Sequence, residues 1–248
     1  MNGGMDLQTR PSLLPLTLDQ VTLEIAGKRV VDRISLQFHA GPRTVIVGPN
    51  GAGKSALLRL CHGLLQPTSG SITWAFPEPS GGPRRQAMVF QRPVLLRRTA
   101  IANITYALAV AGLSRAQRIP RALEALRSVG LERLARHPAR VLSGGEQQRL
   151  ALARVWALSP EVLFLDEPTA SLDPGATHEI EKVIAAMHAT GTKIVMVTHN
   201  LGQASRLADE VLFIHQGRLA ERALAEQFFR SPVSREAAQF LEGELPWH

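Results

Sequence analysis

The most chemically suggestive residues close a glycine-rich stretch, "GPNGAGKS", from Gly48 to Ser55. The spacing fits G-x-x-x-x-G-K-[ST], with an apolar strand-like run before it and a helix-like run after it. Glycines let a backbone wrap a phosphate without Cβ clashes. The exposed N–H groups and the helix N-terminus favour negative charge. Lys54 is then placed for the β- and γ-phosphates of a nucleotide, and Ser55 for Mg2+. Gly48, Pro49, Asn50, Gly51, Ala52, Gly53, Lys54, Ser55 and Ala56 are the expected contacts. Further on, "VLFLDEPTASLD" sets Asp166 and Glu167 at the C-terminal end of an apolar run. In open α/β sheets that is where ligands bind. Asp166 suits the metal, directly or through its water, and Glu167 suits orienting or deprotonating an attacking water. "KIVMVTHN" ends another such run with His199, placed to face a γ-phosphate. Together these residues describe Mg2+-dependent phosphoryl chemistry, with Lys54, Glu167 and His199 as the catalytic set.

A second stretch has the same flavour. "VLSGGEQQRLALARV" opens with Ser143, Gly144 and Gly145 at the start of a helical pattern. Ser143 can cap that helix, leaving its positive dipole end facing outward. The two glycines would allow a phosphate to come close.

Strands and helices must position these groups. "LTLDQVTLEI" (16–25) alternates as a half-buried strand, with "ISLQF" (34–38) as its hairpin partner. "RTVIV", "VLFL", "KIVMV" and "EVLFI" read as buried strands, "SITW" and "AMVF" as short ones, and a helix is expected from about 54 to 64. From about 93 to 160 the apolar spacing turns helical. The tail from Ala223 to Leu241 reads as two short helices. The fold class is therefore α/β: a P-loop core with a largely parallel sheet, an N-terminal antiparallel β subdomain and an inserted α-helical subdomain. Residues 1–14 are expected to be a loose lead-in to one domain over 15–248.

The bulk numbers agree with that reading. Apolar residues make up 45% and charged residues 20%, which excludes a disordered chain. One cysteine, Cys61, forbids an internal disulfide and fits a reducing compartment. No apolar run reaches the ~20 residues of a membrane span, and no signal peptide is visible. The net charge of +7 points to anionic partners or an arginine-rich solvated face.

With these elements in hand, the chain resembles the nucleotide-binding subunits of ABC transporters from about Leu16 to Arg222. "LSGGEQ" (142–147) is similar to that family's signature motif, and the motifs follow the family's order. The resemblance implies ATP and Mg2+ as ligands. It makes Gln91, in "FQRP", a contact of Mg2+ or its water, and Asp173, in "SLD", a residue of the D-loop. It implies a head-to-tail homodimer on ATP binding, in which Ser143, Gly144, Gly145 and Glu146 meet the partner's nucleotide. It further implies integral-membrane permease subunits, a solute-binding protein and a peripheral place on the cytoplasmic face of the inner membrane. "VFQRPVLLRRTAIANITYAL" is similar to subunits serving tungstate, molybdate or phosphate import, and the groove for the permease is expected just after Gln91. One departure stands out. Where the family stacks an aromatic ring on adenine, this chain has Ile25, which implies that GTP competes within about one order of magnitude. The alternative is an ABC ATPase acting on DNA, for which the basic charge would be useful. Those proteins carry long coiled-coil or zinc insertions, however, and the insertion here is short and lacks cysteine pairs. No nucleic-acid partner is expected.

Overall fold

The computed structural model describes residues 11–76 and 85–244. Three strands, β1 (Leu16–Ile25), β2 (Lys28–Phe38) and β4 (Ser69–Trp74), make an antiparallel sheet in the order β2-β1-β4. A six-stranded sheet carries the rest: β3 (Thr44–Val47), β5 (Gln86–Val89), β6 (Val162–Asp166), β7 (Lys193–Val197), β8 (Glu210–His215) and β9 (Arg218–Leu224), in the order β5-β6-β7-β3-β8-β9. Its strands run parallel except β9.

Every residue of β3, β6 and β7 is buried, the mark of strands covered on both faces. Alternate residues of one strand enter different cores, as the two-residue period requires. Val45, Leu163, Leu165, Ile194 and Met196 pack toward the helical side. Ile46, Val162, Phe164, Val195 and Val197 pack toward α1 (Lys54–His62) and the antiparallel sheet. Cys61 belongs to that second core, where burial pushes its thiol pKa up and keeps it unreactive.

The inserted region consists of α2 (Ala100–Val110), α3 (Arg115–Ser128) and α4 (Gly144–Trp156), with single 3-10 turns at Glu132–Leu134 and Ala139–Val141. α5 (Pro174–Ala189) and α6 (Leu201–Leu207) connect the later parallel strands, and α7 (Ala225–Arg230) and α8 (Arg235–Glu244) follow β9.

Four details differ from the sequence expectation. β2 begins at Lys28, because the two-residue turn Ala26–Gly27 pairs Ile25 with Lys28 directly. The hairpin is therefore longer than "ISLQF" alone. β9 has no apolar alternation to betray it. Its sequence "RLAERAL" is that of an edge strand, paired on one side only, so Ala223 and Leu224 are extended rather than helical. The helix after the glycine loop stops at His62, where left-handed Gly63 caps it. In the lead-in, residues 1–10 lie outside the described part, but Leu13 and Leu14 are buried, and the Leu13 N–H donates to Glu161 Oε1 at 2.7 Å. The Pro/Gly loop expected after β4 lies largely outside the described residues as well.

Candidate functional site

The loop Gly48–Gly53 runs from the C-terminal end of central strand β3 into α1. Its last residue is the N-cap of α1 and has φ +98°. A Cβ on Gly53 would lie 2.3 Å from the Val30 carbonyl oxygen, so β2 presses on the loop here and glycine is obligatory. No side chain caps α1, and no acid sits in its first turn, so the positive end of the helix is left for an anion. Ala52 is buried and Asn50 and Gly51 are exposed, while Pro49, Ser55 and Ala56 are half-buried. Lys54 is buried, and its Nζ donates to the carbonyls of Gly48 at 2.7 Å and Pro49 at 2.8 Å. The ammonium is thus held over the loop that would wrap a phosphate.

Ser55, on the first turn of α1, meets the end of β6. Its Oγ donates to Asp166 Oδ1 at 2.6 Å. The other oxygen of Asp166 accepts from Arg59 Nη2 at 3.2 Å. Arg59 lies one turn beyond Ser55 on α1, on the same face. Motif spacing did not single it out, although the i, i+4 relation to Ser55 was available. Mg2+ prefers oxygen ligands and takes one or two protein groups together with waters and phosphate oxygens. The Ser55 hydroxyl and the buried Asp166 carboxylate are such a pair. Among the described residues no cluster of three His, Cys, Asp or Glu side chains could hold a metal unaided. Gln91 follows β5 in an exposed turn, and its side chain bonds to neither Ser55 nor Asp166.

Glu167 is the first residue beyond β6. It has φ +49°, a left-handed conformation that costs a non-glycine residue about 1 kcal/mol or more. Its N–H is tied to the Val197 carbonyl of neighbouring β7 at 3.0 Å. Its Oε2 lies 3.0 Å from Nδ1 of His199, which is 57% exposed. A carboxylate and an imidazole in hydrogen-bond contact at a strand edge can orient a water and move its proton.

The second cradle stands apart from this cluster. Ser143 and Gly144 are exposed at the N-terminus of α4. The Ser143 Oγ accepts from the Glu146 N–H at 3.3 Å, and Glu146 Oε2 accepts from the Ser143 N–H at 2.8 Å, a capping box. The Ser143 backbone N–H, and then its side chain, hold the Glu146 carboxyl below the usual carboxylate range. Gly145 has a duty the sequence did not reveal. It is buried, and a Cβ there would lie 2.8 Å from Cβ of Ala176 on α5. Its small size therefore serves the α4–α5 contact. Asp173 caps α5, accepting from the Ala176 N–H at 2.8 Å. α4 is also tied to the strand side: Gln148 Nε2 donates to the Phe90 carbonyl at 3.2 Å, next to Gln91.

A parallel sheet with a glycine loop, a lysine, a hydroxyl–carboxylate pair and a second acid at its C-terminal edge defines a P-loop nucleotide hydrolase. The ABC transporter family model matches residues 31–170. The tungstate uptake system ATP-binding protein of Peptoclostridium acidaminophilum is 38% identical, over 87% of this chain and 100% of that one. A phosphate import ATP-binding protein of Vibrio cholerae is 34% identical, over 98% and 93%. Among solved structures, an ATP-binding subunit of an ABC transporter superposes with TM-score 0.79 at 25% identity, covering 93% and 99%. A dimeric ATP-binding cassette in a post-hydrolysis state, bound to ADP and Pi, gives TM-score 0.75 at 27% identity, covering 85% and 98%. The chain belongs to the ABC transporter family and is an ATP-binding, ATP-hydrolysing subunit of it.

Proposed function

We propose that this subunit powers uptake of an oxyanion such as tungstate through a separate membrane permease, fed by a solute-binding protein. The observation that carries the catalytic part is the convergence of Lys54, Ser55 and Asp166 with the Glu167–His199 pair at one sheet edge. Lys54 and the α1 N-terminus bind the ATP phosphates. Ser55 and Asp166 would hold Mg2+, which would supply charge neutralisation at the phosphates, with Gln91 as the further residue for the metal or its water. Glu167 orients the water and accepts its proton, with His199 beside it. Ser143 and Gly144, exposed on another part of the surface, together with Gly145 and Glu146 of the same helix start, meet the nucleotide of a second copy, and Asp173 lies at that interface. Two copies thus close head to tail on two ATPs.

The oxyanion assignment rests on the names and near-complete coverage of the tungstate and phosphate import ATPases. Among the described residues no helix is long and apolar enough to cross a membrane. The separate permease and a peripheral position on the cytoplasmic face of the membrane belong to the same proposal and rest on the importer names of the relatives. The permease groove lies after Gln91, where Val94 is exposed and Arg98 sits 5.2 Å above the Tyr106 ring. No observation favours the DNA-acting alternative. The insertion is three helices of 11, 14 and 13 residues, with no long coiled coil.

The test is Glu167→Gln. The variant is expected to bind ATP, accumulate as a closed dimer and lose hydrolysis by about a hundredfold or more. Turnover near the wild-type rate would exclude Glu167 as the group that accepts the water's proton. Loss of tungstate, molybdate or phosphate uptake on deletion identifies the cargo.

A further inference from the structure

Glu167 and His199 lie on loops that follow different strands, and their mutual contact is at a partly exposed rim. Burial of the pair does not hold them together. A buried amide is bonded to a neighbour of each in sequence. Gln203, on α6, is fully buried. Its Oε1 accepts from the hydroxyl of Thr198, the residue before His199, at 2.9 Å. Its amide also meets the hydroxyl of Thr169, two residues beyond Glu167: Nε2 lies 2.9 Å and Oε1 3.1 Å from Oγ1. Nε2 lies 3.3 Å from Oε1 of buried Glu181 on α5. Glu181 in turn accepts from Arg206 Nε at 3.1 Å and Nη2 at 2.7 Å. The backbone N–H of Gln203 is fixed by Asn200 Oδ1 at 2.9 Å, and Thr198 Oγ1 accepts from the Asn200 N–H at 3.1 Å.

One side chain thus joins both loops to α5 and α6. A buried amide is costly unless its hydrogen bonds are made, and here both its oxygen and its nitrogen find partners. What the amide adds is direction. It complements the backbone tie of the Glu167 N–H to the carbonyl of Val197, the last residue of β7. The bond to Thr169 falls two residues beyond Glu167, whose left-handed conformation persists only where surrounding contacts over-determine it.

We propose that Gln203, through Thr169 and Thr198, is a positioning residue for ATP hydrolysis: it sets the separation of Glu167 and His199 without touching nucleotide. This rests on the hydrolytic roles of Glu167 and His199 in the proposed function. Displacing a catalytic group by about 1 Å can cost on the order of a hundredfold in rate with little change in ground-state binding.

The experiment compares Gln203→Met, Thr169→Val and Thr169→Ser in the purified full chain, by steady-state MgATP hydrolysis, affinity for a fluorescent ATP analogue and thermal melting. Gln203→Met and Thr169→Val are expected to lower kcat by about tenfold to a hundredfold, with nucleotide affinity within about threefold of wild type. Thr169→Ser, which keeps the hydroxyl, is expected to restore kcat to within about threefold. If Gln203→Met does not fold, the Thr169 pair decides alone. Folded variants whose kcat stays within about twofold of wild type overturn the proposal, and so does an equal loss in Thr169→Val and Thr169→Ser. Glu167→Gln is measured alongside. If it is inactive while Gln203→Met and Thr169→Val turn over normally, only the positioning role falls. If Glu167→Gln itself hydrolyses ATP normally, the hydrolytic role of Glu167 falls with it.

Discussion

The two ends of the parallel sheet use charge in opposite ways. At the N-terminal end, Lys193 opens β7 and is 1% exposed. Its Nζ donates to the Pro42 carbonyl and, at 2.8 Å, to the Thr44 hydroxyl, and it lies 3.7 Å from Glu210. Burial pushes the Lys193 pKa down, with Glu210 opposing that shift. Glu210, opening β8, also accepts from Thr44 and from Arg222 Nε and Nη2 at 3.1 and 2.9 Å. Beside it Asp209 takes Arg43 through its guanidinium at 3.1 and 2.7 Å and through its backbone N–H at 2.6 Å. Each of these charges is directed at another protein group. At the C-terminal end, by contrast, Asp166 and Glu167 rest on a hydroxyl, a half-exposed arginine and an exposed histidine. Closed networks at one end give rigidity, whereas at the other the partners of Asp166 and Glu167, Arg59 and His199, reach the surface, where a ligand can meet them. The same strands carry both because they are buried along their length and open only at their tips.

Substitutions at the two ends should separate cleanly. The largest effect belongs to Lys54→Ala, expected to lower ATP hydrolysis by about a thousandfold while melting shifts little. A melting loss as large as that of a Lys193 variant would break the contrast. Next is Lys193→Met. It leaves Glu210 buried with one cation fewer and should cost about 3 kcal/mol in chemical denaturation. The ATP affinity of the folded fraction should be unchanged, and a parallel loss of affinity would show the ends to be coupled. Smaller again is Gly145→Val, which drives a side chain into Ala176 and should cost about 1–3 kcal/mol. It should also weaken ATP-dependent dimerisation in size-exclusion runs while monomer ATP binding persists.

The smallest effect is acid-dependent. Chiefly the Arg43 side chain holds the Asp209 pKa below its ordinary value. A depressed folded pKa stabilises above the unfolded pKa, and that contribution is lost as pH falls through the folded value. Asp209→Asn should therefore cost about 1 kcal/mol near neutrality, since the pair is partly solvated. The gap to wild type should narrow below about pH 4. A constant gap down to acid would mean that Arg43 acts on Asp209 through packing alone.

Much of the site was legible because its parts are local. "GPNGAGKS" needs only a strand, a tight loop and a helix in immediate succession, and Asp166–Glu167 and His199 follow apolar runs that can only be buried strands. Ser143 and Glu146 are three residues apart, so their capping box is written in the chain itself. Strand β9 was hidden because a one-sided edge strand needs no apolar alternation. The bond of Arg59 to Asp166 and the clamp of Gln203 on Thr169 and Thr198 were hidden for a different reason. Each joins residues distant in sequence, and a polar side chain carries no local sign of the partner that will make its burial tolerable. Gly145 shows the same limit: the sequence supplies a glycine, and only the crossing of α4 and α5 decides that its missing Cβ is space for Ala176. The sequence thus determined which chemical groups the sheet edge would carry. Tertiary packing decided which of them meet, because contact across the fold depends on distances that no spacing along the chain encodes.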